Sequence, residues 1–178
     1  MLTRASLDSA VDRVREVQAA VPVPVAVEPP PVSFVAGRMD VFAFFGELAE
    51  RADCVLLLDM GHLVSYEMAT GRAVTDALSA LPVERVIEVH VAGGDVEEGV
   101  GGPIYIDAHE RPVREETWAM LDRMLPELPN LKALCFECEG VSEAAVLSTI
   151  ARLRGIIAER SASALFRANV AASAAASA

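Results

Sequence analysis

Cysteine, histidine and basic side chains are all scarce in this chain. It has three cysteines and three histidines in 178 residues, and 15 Lys and Arg stand against 26 Asp and Glu for a net charge of −11. That balance argues against nucleic acid, which is gripped mainly by Lys and Arg neutralising phosphates. No apolar run reaches the ~18–20 residues of a membrane span, so neither nucleic acid nor a membrane is an expected partner. Cys54, Cys135 and Cys138 cannot build an even disulfide framework and favour a reducing cytoplasm. Cys135 and Cys138 lie in one expected strand with no second pair to complete a zinc site, so they read as small core thiols. Residues 1–8 carry Arg4 and Asp8 where a secretory leader needs an apolar core, and are expected to enter a helix directly.

What is present is the make-up of a globular domain, 53% apolar and 23% charged, long enough for a substantial core. Leu7, Val11, Val14 and Val17 form one helical stripe over 6–20, with Thr3 or Ser6 as N-cap. A strand over 25–27 ends at Glu28, and Pro29, Pro30 and Pro31 then force an extended loop. A helix over 40–51 turns Phe42, Phe45, Leu48 and Ala49 inward, and a strand over 54–58 ends at Asp59. A short helix over 75–81 precedes a strand over 85–91 that ends at His90. A glycine-rich excursion then leads to Asp107 and His109, a helix spans 115–125, and a strand over 131–138 ends near Glu137. Ser142 caps a last helix running to about 160.

Strand alternates with helix, which predicts an α/β fold with a parallel sheet. Glu28, Asp59 and His90 recur at intervals of 31 residues, close to one βα unit, so they mark equivalent strand ends. A complete (β/α) barrel of the TIM type takes roughly 200–250 residues. Four βα units and a leading helix over 1–160 amount to about half of one, and 161–178 form an Ala/Ser-rich tail expected to be disordered. An open half-barrel exposes a strand on each flank. A second chain, or a second copy, is therefore expected to complete it.

The strand ends gather Glu28, Asp59, His62, His90, Asp107, His109 and Glu137, four carboxylates and three imidazoles. Taken singly, each has an ordinary explanation. Asp59 reads as a helix cap, His90 as a packed histidine, Glu28 as a loop acid, and Asp107-x-His109 as chance. Taken together they converge on one mouth. Oxygen and nitrogen donors without thiolate suit zinc, manganese or non-haem iron. Crowded carboxylates raise one another's pKa unless cations neutralise them. Glu88 shares a face with His90, and Glu139 with Glu137, so both read as carboxylates that orient an imidazole from behind. For Glu88, an ion pair inside the barrel is the alternative.

The order Glu, Asp-x-x-His, His, Asp-x-His, Glu resembles the metal-ligand order of endonuclease-IV-like and xylose-isomerase-like barrels. The local words resemble one branch more closely, the multinuclear non-haem iron-dependent oxidases that modify ribosomally made peptides, as in methanobactin biosynthesis. Those words are Leu56-Leu57-Leu58-Asp59-Met60-Gly61-His62, Glu88-Val89-His90-Val91-Ala92-Gly93 and Ile106-Asp107-Ala108-His109-Glu110-Arg111-Pro112-Val113. Trp118 and Phe136-Glu137-Cys138-Glu139 also fit. The likeness runs over residues 3–158 and corresponds to the C-terminal part of the family's barrel. This chain departs from the pattern with Pro29 where the family has Asn and Cys138 where it has Trp. The family's N-terminal strands, with two further histidine ligands, have no counterpart here.

The resemblance implies two or three iron ions held by Glu28, Asp59, His62, His90, Asp107, His109 and Glu137. It implies oxidation of cysteine or other residues in a precursor peptide, with a partner protein that recruits the peptide. Two alternatives share these residues: a zinc- or manganese-dependent phosphodiesterase or sugar isomerase, and an inactive or split half-barrel serving as an assembly partner.

Overall fold

A computed structural model describes the backbone of residues 1–175 and the side chains of residues 1–160. The chain forms two compact units, Met1–Val141 and Ser142–Ala178. The second is one helix, α6 (Glu143–Ala175). It continues past residue 160, where the sequence pattern ends it. The expected tail over 161–178 falls on residues whose side chains lie outside the described residues.

In the first unit, α1 (Arg4–Ala20) starts at Thr3, whose Oγ1 accepts from the Ser6 N–H while Ser6 Oγ accepts from the Thr3 N–H. Leu7 and Val11 are buried, but Val17, assigned to the same stripe, is exposed. After β1 (Ala26–Val27), Asp40 caps α2 (Val41–Ala52), its Oδ1 accepting from the Phe42 N–H at 2.9 Å. Then come β2 (Val55–Asp59), α3 (Met60–Thr70), α4 (Val74–Ala77), β3 (Val86–Ala92), β4 (Gly94–Gly99), β5 (Gly102–Asp107), α5 (Glu115–Met124) and β6 (Ala133–Glu137).

Strands β1, β2, β3 and β6 lie side by side in that order, all parallel. The fold is α/β, a mostly parallel sheet with helices, consistent with a partial TIM-like barrel. It departs from an all-parallel reading at the glycine-rich excursion, where β4 and β5 pair antiparallel as a separate hairpin. A second departure is α3, which the pattern does not predict. Met60 to Tyr66 are all buried, so the first two turns of that helix carry no amphipathic period to read, and only its last turn meets solvent.

Register decides which side chains share a face. Leu57 lies opposite Glu88, Asp59 opposite His90, His90 opposite Cys135, and Ala92 opposite Glu137. Because side chains alternate along a strand, Asp59, Glu88, His90, Cys135 and Glu137 stand on one face. Leu56, Leu58, Val89 and Val91 stand on the other, each 0% exposed. That apolar face meets α3, which also packs on α5, and Leu63, Met120, Leu121 and Met124 complete the core. Among the described residues, no helix is long and apolar enough to cross a membrane.

The face assignment is testable by urea unfolding. Leu58→Ala opens a hole in the core and is expected to cost about 2–5 kcal/mol. Leu57→Ala, on the half-exposed face, is expected to cost roughly 1 kcal/mol or less. Equal losses would overturn the assignment.

Candidate metal centre

Three kinds of element supply the seven expected ligands. Glu28 follows β1, Asp59 ends β2, His90 lies in β3 and Glu137 ends β6, so four come from the parallel sheet. His62 comes instead from the first turn of α3, and Asp107 and His109 from the end of the β4–β5 hairpin. These three therefore correct the picture of a site built from parallel strand ends alone.

The side chains form a connected series. His62 Nδ1 donates to the Pro29 carbonyl at 2.9 Å and lies 3.2 Å from Glu28 Oε1, while its Nε2 is 3.1 Å from Asp107 Oδ2. His109 Nε2 is 3.3 Å from Asp107 Oδ1 and 3.7 Å from Glu137 Oε2. Glu137 Oε2 is in turn 3.2 Å from His90 Nδ1. Asp59 joins both ends, because Glu28, Asp59 and His62 bring one ligand atom each within 4.8 Å of one another, and so do Asp59, His90 and Glu137. Behind the imidazoles, Glu88 Oε1 lies 3.2 Å from His90 Nε2, and Glu139 Oε2 lies 2.9 Å from His109 Nδ1.

Orphaned atoms test whether these residues fit a metal. Asp59 Oδ2, His90 Nδ1 and Asp107 Oδ1 are buried without an aligned hydrogen bond, three of only four such atoms among the described residues, the latter two having an oppositely charged neighbour at 3.2 and 3.3 Å. Leaving a buried polar atom unpaired costs on the order of 1–3 kcal/mol. A cation among them would satisfy all three, and the donor set, oxygen and nitrogen throughout, suits iron, manganese or zinc. The residues fit the group.

Their electrostatics describe the metal-free state. Burial raises the carboxyl pKa of Asp59, which is 1% exposed, and that of Glu28. Burial also works to raise Asp107, but the hydrogen bond and charge of His62, with the charge of His109, outweigh it and lower its pKa. For His62, burial opposes the charged ring, yet the bond to Asp107, the charge of Asp59 and the Pro29 carbonyl raise its pKa to about 9. His109 is raised in the same way, against burial, by Asp107, Glu139 and Glu137. A proton at His62 thus holds the place that a cation would take.

Tyr105 is part of this arrangement and carried no signal recognised in the sequence. Its ring is 2% exposed, and its hydroxyl pairs with Thr117 Oγ1 at 3.0 Å. A Cβ at Gly94 would lie 2.1 Å from that hydroxyl, and one at Gly61 only 2.8 Å from it. Two glycines therefore let the hairpin press against the start of α3 and carry Asp107 to His62. The available signal was Gly61 in the first turn after a capping Asp. The cysteines also need correcting. Cys54 is buried, but Cys135 is exposed and Cys138 only half-buried, so the latter pair are not core thiols.

A parallel α/β sheet with carboxylates and imidazoles gathered at its strand ends defines an α/β protein with a candidate metal centre. Residues 1–149 match the family described as RiPP precursor modification enzyme MbnB/TglH/ChrH, and this chain belongs to that family. A UPF0276 protein of Caulobacter sp. (strain K31) is 32% identical over 125 residues, 69% of this chain and 45% of the relative. One from Streptomyces avermitilis is 39% identical over 113 residues, 62% of this chain and 22% of the relative. One from Rhizobium meliloti (strain 1021) is 32% identical over 123 residues, 67% of this chain and 40% of the relative. The match takes in less than half the length of each of these relatives.

The raised pKa of His62 fixes the direction of a pH effect. Its stabilising contribution is full below its ordinary value of 6.5 and is lost as pH rises through about 9. In chelator, the protein is expected to lose on the order of 3 kcal/mol over that window. Metal affinity is expected to rise over the same window, because the ion must displace the His62 proton. Denaturant unfolding and metal titration at stepped pH measure both. Identical profiles in wild type and His62→Gln would contradict the assignment.

Proposed function

We propose that this chain carries the metal centre of a multinuclear non-haem iron-dependent oxidase that modifies cysteine or other residues of a ribosomally made precursor peptide. The observation that carries the reading is Asp59, shared by two ligand triads with one buried oxygen left unpaired. One carboxylate between two triads is what adjacent ions need. Glu28, His62 and Asp107 would hold one side, and His90, His109 and Glu137 the other. Glu88 and Glu139 would fix the ring orientations from behind. Iron, when bound, supplies redox chemistry with dioxygen as the oxidant. His62 holds a proton at Nε2 until loading, and the Pro29 carbonyl keeps its ring in place afterwards.

The reading includes partners. The β1 and β6 edges of the parallel sheet would be continued by the rest of a (β/α) barrel, from a second chain or further chain. A precursor peptide would enter at the strand ends, with a recruiting protein to deliver it. The family match and the fit of the donor set support this reading.

Metal content by mass spectrometry on anaerobically purified protein, with the oligomeric state measured alongside, is the test. Iron at one or more atoms per chain is expected, with loss to below about a tenth in both His90→Ala and Asp107→Ala. Glu139→Gln is expected to weaken iron binding about 10–100-fold without abolishing it. Zinc or manganese in place of iron, retained in Cys135→Ser and lost in Asp107→Ala, would transfer the reading to a phosphodiesterase or isomerase using the same ligands. Unchanged iron in both alanine variants would sink the ligand assignment.

A further inference from the structure

His90 presents two edges to two different sets of donors. Its Nδ1 faces the mouth, 3.2 Å from Glu137 Oε2, while its Nε2 faces Glu88 Oε1 at 3.2 Å. Cys135 is the residue paired with His90 across β3 and β6. Glu88, His90 and Cys135 bring one ligand atom each within 4.8 Å of one another. His90 is shared with the centre at the mouth and Glu88 orients its ring there, so Cys135 is the one donor of this group that the first centre does not use. Carboxylate, imidazole and thiol from adjacent strands converge on one point, and the thiol is partly exposed rather than packed.

We propose that Glu88, His90 and Cys135 form a second cation site that takes zinc. The donor chemistry sets the choice of ion. Oxygen and nitrogen donors at the mouth accept any of several divalent ions, whereas a thiolate selects zinc and its analogues cobalt(II) and cadmium over manganese or magnesium. Ligand lengths of about 2.0–2.3 Å around tetrahedral zinc require donor separations of roughly 3.3–3.8 Å. The three donors lie within 4.8 Å of one another, and to reach that range their side chains must turn toward the ion, which the exposure of Cys135 permits. Binding displaces two protons: the thiol proton leaves to solvent, and the proton that His90 Nε2 holds against Glu88 Oε1 moves to Nδ1, beside Glu137 Oε2. The fourth position stays open on the exposed side of the face. The inference needs neither iron nor a peptide, and it shares His90 with the centre at the mouth.

Anaerobic titration of the full chain with cobalt(II) tests it, since thiolate ligation gives a near-ultraviolet charge-transfer band that oxygen and nitrogen ligands do not. The band is expected in wild type, displaced by zinc, and absent in Cys135→Ser. Glu88→Gln is expected to weaken cobalt binding at this site at least tenfold. Cys138→Ser and His62→Ala are expected to keep the band, the latter while losing metal from the mouth. No band in wild type, a band that survives Cys135→Ser, or one that zinc fails to displace would overturn the proposal. Failure of the oxidase reading shows separately, as absent iron with the cobalt–thiolate band intact.

Discussion

Everything at the mouth depends on the backbone register between β2 and β3. The ladder shifts between Leu56 and Leu57, so Leu56 pairs with Val86 while Leu57 pairs with Glu88. That one-residue irregularity sets Asp59 opposite His90. Without it, every β3 side chain beyond the shift would turn to the opposite face. His90 would then point into the packed layer where Val89 and Val91 now sit, and Asp59 would face an apolar neighbour. The irregularity is therefore as much a part of the centre as any ligand.

The second constraint is charge. Asp59 is buried and its carboxyl is pushed toward neutrality, while Asp107, a neighbour in the same centre, is held ionised by two imidazoles. Without a cation, the surrounding carboxylates push both His62 and His109 toward the protonated form. Even so, three buried polar atoms lack an aligned hydrogen bond. Protons on the imidazoles offset part of the negative charge but leave these hydrogen bonds unmade, whereas a cation that several donors address at once answers both.

Much of this was legible in the residues, and the reasons differ element by element. Strands β2 and β3 end in polar groups after apolar runs, so Asp59 and His90 stood out, and equal spacing tied Glu28 to them. Asp107 and His109 were legible as ligand types but not as hairpin residues. Glycine and acids in β4 hide the alternation that marks a strand, and its pairing is only with β5. Helix α3 was invisible because burial on all sides of its first two turns removes the period that betrays a helix. Cys135 looked like a core residue because a thiol is small and apolar, and composition cannot say which face of β6 is covered.

The two outer strands of the parallel sheet are not alike. Strand β1 has two residues and is bracketed by Pro22, Pro24 and the run Pro29, Pro30 and Pro31, none of which has an N–H to offer a neighbour. Strand β6 has five residues, Ala133–Glu137, with no proline among them. Prolines blunt an edge against further pairing, and a free ladder of amides invites it. Growth of this sheet is thus polar. An added strand would meet a full set of backbone N–H groups along β6, whereas beside β1 the flanking prolines leave few amides to hold it.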